Sequence, residues 1–274
     1  MRCPICGSES QLDQAHPEVI LHRCWKCWHR FSQLKPDTTS EPYDADYYEK
    51  THRNWFAHPD LNLFGQIARL IDREPEPRSL IDVGCGNGNF LQFLARRHPT
   101  MTLTGIDLSA NQSTSNIEFV QGDVLSAELG RQFSVVVSLA TIEHIADVRG
   151  FAGCLRRLVK PNGLVIVMTL SDESLLYRTA RLLRRFGIGM VFDRLYSRHH
   201  LHHFSRQSLR TLLQGEGLEP EATILHNPPL ASVDIPTSGQ LTTTLMRIGV
   251  VSMNAIASVS RGAYLQTVIS RARA

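Results

Sequence analysis

Two spacings in the chain bring reactive residue types together. The first is Cys3-x2-Cys6-x17-Cys24-x2-Cys27. Each CxxC turn presents two thiolates, and two such turns supply the four soft ligands of a tetrahedral zinc ion. With four sulfurs around it the ion has no open position, so its role is structural. It replaces the apolar core that about 30 residues cannot build, and it makes metal binding and folding one event. The symmetry of the two pairs leaves His16, His22 and His29 as surface residues rather than ligands. Four unliganded cysteines are the competing reading.

The second is Leu80-Ile-Asp82-Val-Gly84-Cys85-Gly86-Asn-Gly88-Asn-Phe90, an apolar strand running into a glycine turn and then a helix. Gly84, Gly86 and Gly88 let the backbone pass close to a ligand without interference from Cβ atoms. Asp107 stands 19 residues beyond Gly88, at the end of the next apolar run. A carboxylate there receives ribose hydroxyls in nucleotide-binding sheets, so the expected ligand contains a ribose. Gln121-Gly122-Asp123-Val124 sets another acid at the end of a third run. Taken alone, the glycine turn reads equally well as a plain strand-to-helix joint.

Two histidine-bearing segments are candidates for acid–base work. Glu143 and His144 follow the run Phe133–Leu139, at the sheet edge where open α/β folds place ligands. His144 is the candidate base and Glu143 an orienter or cofactor-side contact; the alternative is that both merely cap a helix beginning near Asp147. Arg198-His199-His200-Leu201-His202-His203 holds four histidines in five residues, with His200 and His203 as candidate catalytic or substrate-contacting groups. A metal there would lack an acid or cysteine at ligand spacing.

The elements that must position these groups alternate in type. Strands are predicted at 79–83, 102–106, 117–121, 133–139, 163–170, 218–225 and 264–270, and helices near 88–97, 147–159, 174–186, 205–215 and 241–257. The fold class is α/β: a doubly wound, mostly parallel, seven-stranded Rossmann-like sheet with a small N-terminal zinc ribbon. Three parts follow: a ribbon-like module over 1–33, a linker and helical cap over 34–77, and the sheet domain over 78–274. The cap carries Tyr47-Tyr48, Trp55-Phe56 and the helically spaced run Leu61–Ile71. A lid-like insertion at about 171–204 includes a helix with Arg178, Arg181, Arg184 and Arg185 among apolar residues. That helix reads as a substrate lid, as a basic amphipathic helix on an anionic membrane, or as an ordinary packed helix with a solvated arginine face. The apolar helix at 241–257 reads as core or dimer contact.

The loop, Asp107, Asp123, the Glu143-His144 step and Lys160-Pro161-Asn162-Gly163 together resemble the class I S-adenosylmethionine-dependent methyltransferases of small-molecule type. The match is firm over roughly 78–170. His200–Ser205 with the apolar helix after it is similar to the segment before the sixth strand of such enzymes. The resemblance implies that Asp82, Gly84, Cys85, Gly86 and Gly88 line the methionine part of the cofactor. It implies that Asp107 with Leu108 holds the ribose, and that Asp123 with Val124 faces the adenine. Ser134 departs from the usual aspartate and Asn162 from the usual glycine, and only nine residues separate Asp107 from Ile117, so the helix after strand two should shrink to a turn. The implied activity is methyl transfer to oxygen, or carbon, of a small metabolite such as a sugar or secondary-metabolite scaffold. A base is needed only where the acceptor is a hydroxyl.

The chain has 274 residues, 42% hydrophobic and 20% charged, with 29 basic and 26 acidic residues for a net charge of +3. This composition excludes disordered and fibrous classes and falls short of the basic bias of nucleic-acid binders. No apolar h-region opens the sequence and no run reaches spanning length, so the expectation is a cytoplasmic protein whose only membrane contact would be peripheral. A small-molecule acceptor and a monomer or homodimer complete the expectation. Competing readings are an RNA methyltransferase gripping RNA with its ribbon, a nicotinamide-dependent dehydrogenase, and a non-catalytic binding protein that keeps the cofactor fold.

Overall fold

The structure, a computed structural model, describes residues 1–36, 53–75, 79–109, 111–114, 116–233, 256–257 and 262–274. The polar stretch after Pro36, the Tyr47-Tyr48 pair and nearly all of the predicted 241–257 helix lie outside them.

The central sheet is built from β4 (Ser79–Val83), β5 (Thr102–Asp107), β6 (Ile117–Gln121), β7 (Phe133–Leu139), β8 (Val159–Leu170), β10 (Leu218–His226) and β11 (Leu265–Ala272), in the order β10-β11-β8-β7-β4-β5-β6. The strands β4 to β8 pair in parallel, and β11 runs antiparallel between β8 and β10. The expected seven-stranded, mostly parallel sheet is therefore present. The apolar runs in β4, β7 and β8 exist because both faces of the sheet are covered. Leu80, Val135 and Val137 face α2 (Leu61–Ile71) and α3 (Asn89–Arg97), in one core with Ile67, Phe90 and Leu94. Ile81, Val83 and Val136 face α4 (Val148–Leu158) and α7 (Arg206–Gly215), in a second core with Phe151, Leu155 and Leu212. The alternation of side chains along each strand thus serves two cores.

Two departures from the family pattern have local explanations. Among the described residues of 108–116 there are only bends between β5 and β6, as the nine-residue gap requires. Asn162 sits at φ 60°, the left-handed conformation that asparagine tolerates better than most residues, and so serves where glycine is usual.

A second sheet joins β1 (Gln11–Leu12), β2 (Val19–Arg23), β3 (Arg30–Leu34) and β9 (His202–His203), in the order β1-β2-β3-β9. Its fourth strand comes from the histidine cluster: Arg30 pairs with His203 and Phe31 with His202. The cysteine module is built onto the sheet domain, with Cys3, Ile5, Cys24, Cys27 and Phe31 in one core with Phe204 and Leu209.

That packing overturns the expectation for its histidines. His16, His22 and His29 are buried, His29 completely. His29 Nε2 lies 3.0 Å from His202 Nδ1 and its ring stacks on Phe31; His16 Nε2 lies 2.9 Å from the Asp193 carbonyl. They are polar groups at an internal junction: His16 and His29 are hydrogen-bonded there, and the His22 ring stacks on Phe31.

The insertion forms a helical hairpin, α5 (Leu175–Arg185) and α6 (Met190–Leu195). Buried Asp172 holds its base: Arg30 of β3 pairs with one carboxylate oxygen, while Arg181 Nη1 at 2.9 Å and Tyr196 Oη at 2.6 Å donate to the other. A carboxylate with charged partners on both oxygens can be buried without an uncompensated charge. Among the described residues no helix is long and apolar enough to cross a membrane.

Candidate active site

The sheet order reverses direction between β7 and β5 on either side of β4, and a crevice opens at such a switch point, at the carboxyl ends of the strands. The glycine loop leaves β4 there. Gly84 and Gly88 hold φ 72° and 74°, conformations that L side chains rarely adopt, and neither has room for a Cβ. At Gly84 it would overlap Thr141, and at Gly88 it would stand 2.6 Å from the Phe119 ring. Phe56, from α1 (Arg53–Ala57), rests over Gly86, and Asn89 Nδ2 donates to the Phe56 carbonyl at 2.9 Å, so an aromatic residue of the cap roofs the loop.

Asp107, at the end of β5, is oriented by the loop itself. Its Oδ2 accepts the Gly86 N–H at 2.8 Å, and its Oδ1 accepts the Ser109 N–H and hydroxyl at 2.9 and 2.6 Å. A carboxylate offers about four acceptor sites, and these three bonds fix it at the rim of the sheet. Leu108 is exposed beside it and its carbonyl accepts from Gln121 Nε2. Asp123 is exposed after β6, where it accepts the Leu125 N–H at 2.9 Å, and Val124 packs partly into the second core. Loop, Asp107, Leu108 and Asp123 thus follow one another along the rim of β4, β5 and β6. Cys85 is half-buried, its thiol pushed up by burial.

Asp82 lies beneath this rim rather than on it. It is 2% exposed, and its Oδ1 has no hydrogen-bond partner among the described residues. Burial first, and the Asp107 charge second, push it up to about 8. The native state therefore keeps a proton that the unfolded chain releases near pH 4, so Asp82 costs stability as pH rises from about 4 to about 8. Glu143, pushed up to about 7 by burial, acts with the same sign over a narrower range. Asp82→Asn, which cannot ionise, is expected to melt higher than the native chain at about pH 9 and to converge with it near pH 4. Thermal melts across this range check it, and parallel curves would refute the buried acid.

Glu143 and His144 occupy a single 3-10 turn, Ile142–His144, past the end of β7. They do not cap α4; Asp147 does so, accepting the Gly150 N–H at 2.9 Å. Glu143 is buried, its Oε2 accepts the Thr169 hydroxyl at 2.8 Å, and its carbonyl accepts the Leu201 N–H at 2.8 Å. His144 Nδ1 lies 2.7 Å from the His199 carbonyl. A carbonyl only accepts, so Nδ1 carries the proton and Nε2 is the basic nitrogen. The His200 ring sits 5.0 Å from that of His144, and its Nδ1 lies 3.3 Å from the Leu195 carbonyl. Glu143, His144 and His200 are therefore brought together. His203 is not with them: it is 1% exposed, packed against Tyr196, with Nε2 3.3 Å from Ser32 Oγ, and burial holds it well below the ordinary histidine range. Its neutral ring is a packing element of the β3–β9 junction.

Sequence reasoning did not reach Thr141 behind Gly84, Phe56 over Gly86, or Asp172. The only signal for Phe56 was the aromatic pair in a segment preceding the loop.

The four cysteine sulfurs meet at the edge of the module. Cys3 and Cys27 Sγ are 3.6 Å apart, Cys6 and Cys24 Sγ 3.5 Å, and all four lie within 4.8 Å of one another. These separations are too long for disulfides. A tetrahedral ion about 2.3 Å from each sulfur spaces them about 3.8 Å apart, so the thiols fit zinc.

Comparison with known proteins agrees with this geometry. The family model described as a methyltransferase domain matches residues 55–223, more than half the chain. The chain is 26% identical to the malonyl-[acyl-carrier protein] O-methyltransferase of Acetivibrio thermocellus over 151 residues, 49% of this chain and 53% of that one. It is 33% identical to the ubiquinone biosynthesis O-methyltransferase of Azorhizobium caulinodans over 139 residues, 47% of this chain and 50% of that one. The chain thus spans about half the length of these curated relatives. The solved phosphoethanolamine N-methyltransferase 2 of Haemonchus contortus, in complex with S-adenosyl-L-methionine, shares the fold with a TM-score of 0.57 at 14% identity, over 90% of this chain and 63% of that one. This chain belongs to the methyltransferase-domain family, in its class I, S-adenosylmethionine-dependent form.

Proposed function

We propose that the protein transfers a methyl group from S-adenosylmethionine to an oxygen of a small-molecule acceptor. The observation that carries this reading is the meeting, at one switch point, of the glycine loop, Asp107 and the Glu143–His144–His200 group. That the curated relatives are named O-methyltransferases supports oxygen as the acceptor atom. The cofactor supplies an electrophilic methyl on a sulfonium centre. What the chain must add is alignment, exclusion of water and, for a hydroxyl acceptor, a place for its proton.

Gly84, Gly86 and Gly88 give close backbone approach, Asp107 binds the ribose, and Asp123 borders the base. Phe56 limits water at the loop. His144 takes the acceptor proton at Nε2, its tautomer held by the His199 carbonyl; Glu143 fixes the turn through Thr169 and Leu201, and His200 flanks the acceptor. Residues 1–33 form a zinc-held module whose metal serves structure alone.

The test is transfer of labelled methyl to a panel of hydroxyl-bearing small molecules and to RNA. With an accepting small molecule in hand, His144→Ala is expected to lower kcat by about 10²–10⁴, with binding of the demethylated cofactor unchanged. Label entering RNA alone would replace the small-molecule reading, and an unaffected His144→Ala would remove the base.

A further inference from the structure

The α5–α6 hairpin has two faces of different chemistry. Its inner face is fastened to the cysteine module. Arg184 Nη2 donates to the Ala15 carbonyl at 2.8 Å, Gln14 Nε2 to the Arg181 carbonyl at 3.1 Å, and Arg181 to Asp172. The outer face has no such use. Its exposed side chains are Arg178, Leu182 and Arg185, spaced i, i+4 and i+7 along α5, then Phe186 and Ile188 in the connection, and Met190 and Arg194 on α6. Phe186 is 76% exposed, and Leu182, Ile188 and Met190 are each more than half exposed. Arg178, Arg185 and Arg194 make no ion pair among the described residues, whereas Asp193, the hairpin's acid, lies 3.6 Å from Arg184.

Scattered exposed hydrophobics are ordinary, but four large ones on one short hairpin, which also exposes Arg178, Arg185 and Arg194 with no ion pair among the described residues, are a recognition surface. We infer that this tip docks on an anionic lipid bilayer, with Phe186, Ile188 and Met190 entering the interface and Arg178, Arg185 and Arg194 meeting lipid phosphates. A bilayer fits better than a protein groove because the hairpin exposes large apolar residues and unpaired cations together, the amphipathic composition of interfacial elements.

The hairpin also leads to the candidate site. The carbonyl of Leu195, at the end of α6, is the contact of His200 Nδ1, and α6 is six residues, or roughly 9 Å, long. A docked tip would therefore hold the His144–His200 region close to the membrane surface. The docking itself does not depend on the methyl-transfer reading.

The test is flotation of the purified full-length protein with vesicles of phosphatidylcholine alone or mixed with phosphatidylglycerol. Binding is expected only with the anionic lipid, and weaker at high salt. Arg178→Gln/Arg185→Gln/Arg194→Gln should lower partitioning roughly a hundredfold, at about fivefold per arginine. Phe186→Ser/Ile188→Ser/Met190→Ser should lower it about tenfold or more. Both variants should keep the native melting temperature and bind S-adenosylhomocysteine as the native chain does, which separates loss of docking from loss of fold. Absence of binding to either vesicle, equal binding to both, or native binding by the variants overturns the inference. So does self-association in sedimentation that the serine variant abolishes, which would assign the tip to a second copy of the chain.

Discussion

Cys24→Ser is expected to release the metal, lower the melting temperature by roughly 10 °C and abolish acceptor turnover, while S-adenosylhomocysteine still binds. Structural zinc contributes about 10–16 kcal/mol of binding energy in small modules, and about 30 residues build no apolar core of their own. The reach of the loss follows from the topology. Cys24 leads from β2 towards β3, β3 pairs with β9, and β9 follows directly on His199, His200 and Leu201, which contact the Glu143–His144 turn. Melting the module therefore removes the strand that steadies His200 and the carbonyl that sets the His144 tautomer. The glycine loop and Asp107 are held instead by β4, β5 and their own hydrogen bonds. Metal content, melting temperature, turnover and ligand titration on one preparation check the chain of effects. Loss of cofactor binding together with turnover would show that the module supports the whole sheet domain, and full turnover without metal would show that it supports neither site.

Asp107→Ala is expected to weaken S-adenosylhomocysteine by about 10–10² without unfolding the chain. One charge-assisted hydrogen bond to a ribose hydroxyl is lost, contributing about 1.5–3 kcal/mol. Asp107→Asn keeps the size and some accepting capacity and should fall between. Because the Gly86 N–H and Ser109 also lose their acceptor, the melting temperature must be read beside the titration. Equal affinity in native and alanine chains would take Asp107 out of the site.

What was legible in the sequence followed from local chemistry. β7 and β8 announce themselves as β-branched runs because both faces are buried, and the loop because only glycine fits beside Thr141 and Phe119. Glu143 and His144 could be placed because whatever follows β7 must emerge at the carboxyl edge. The β3–β9 pairing could not be read: two histidines carry no strand period, and their partners lie some 170 residues away in sequence. For the same reason His16, His22 and His29 looked like surface residues, and His200 and His203 looked alike, although only one adjoins His144. The six residues of α6 are too few to show a helical period. Long-range contact, which composition and spacing do not encode, decides each of these.

The central claim, that the switch-point crevice is an S-adenosylmethionine site, is tested most directly by isothermal titration of the native full-length chain with S-adenosylhomocysteine and, separately, with NAD. The expected result is one site per chain for S-adenosylhomocysteine, with no heat from NAD. Binding of NAD alone would give Asp107 to a nicotinamide ribose, and binding of neither would leave the fold without the cofactor, so either outcome would contradict the assignment.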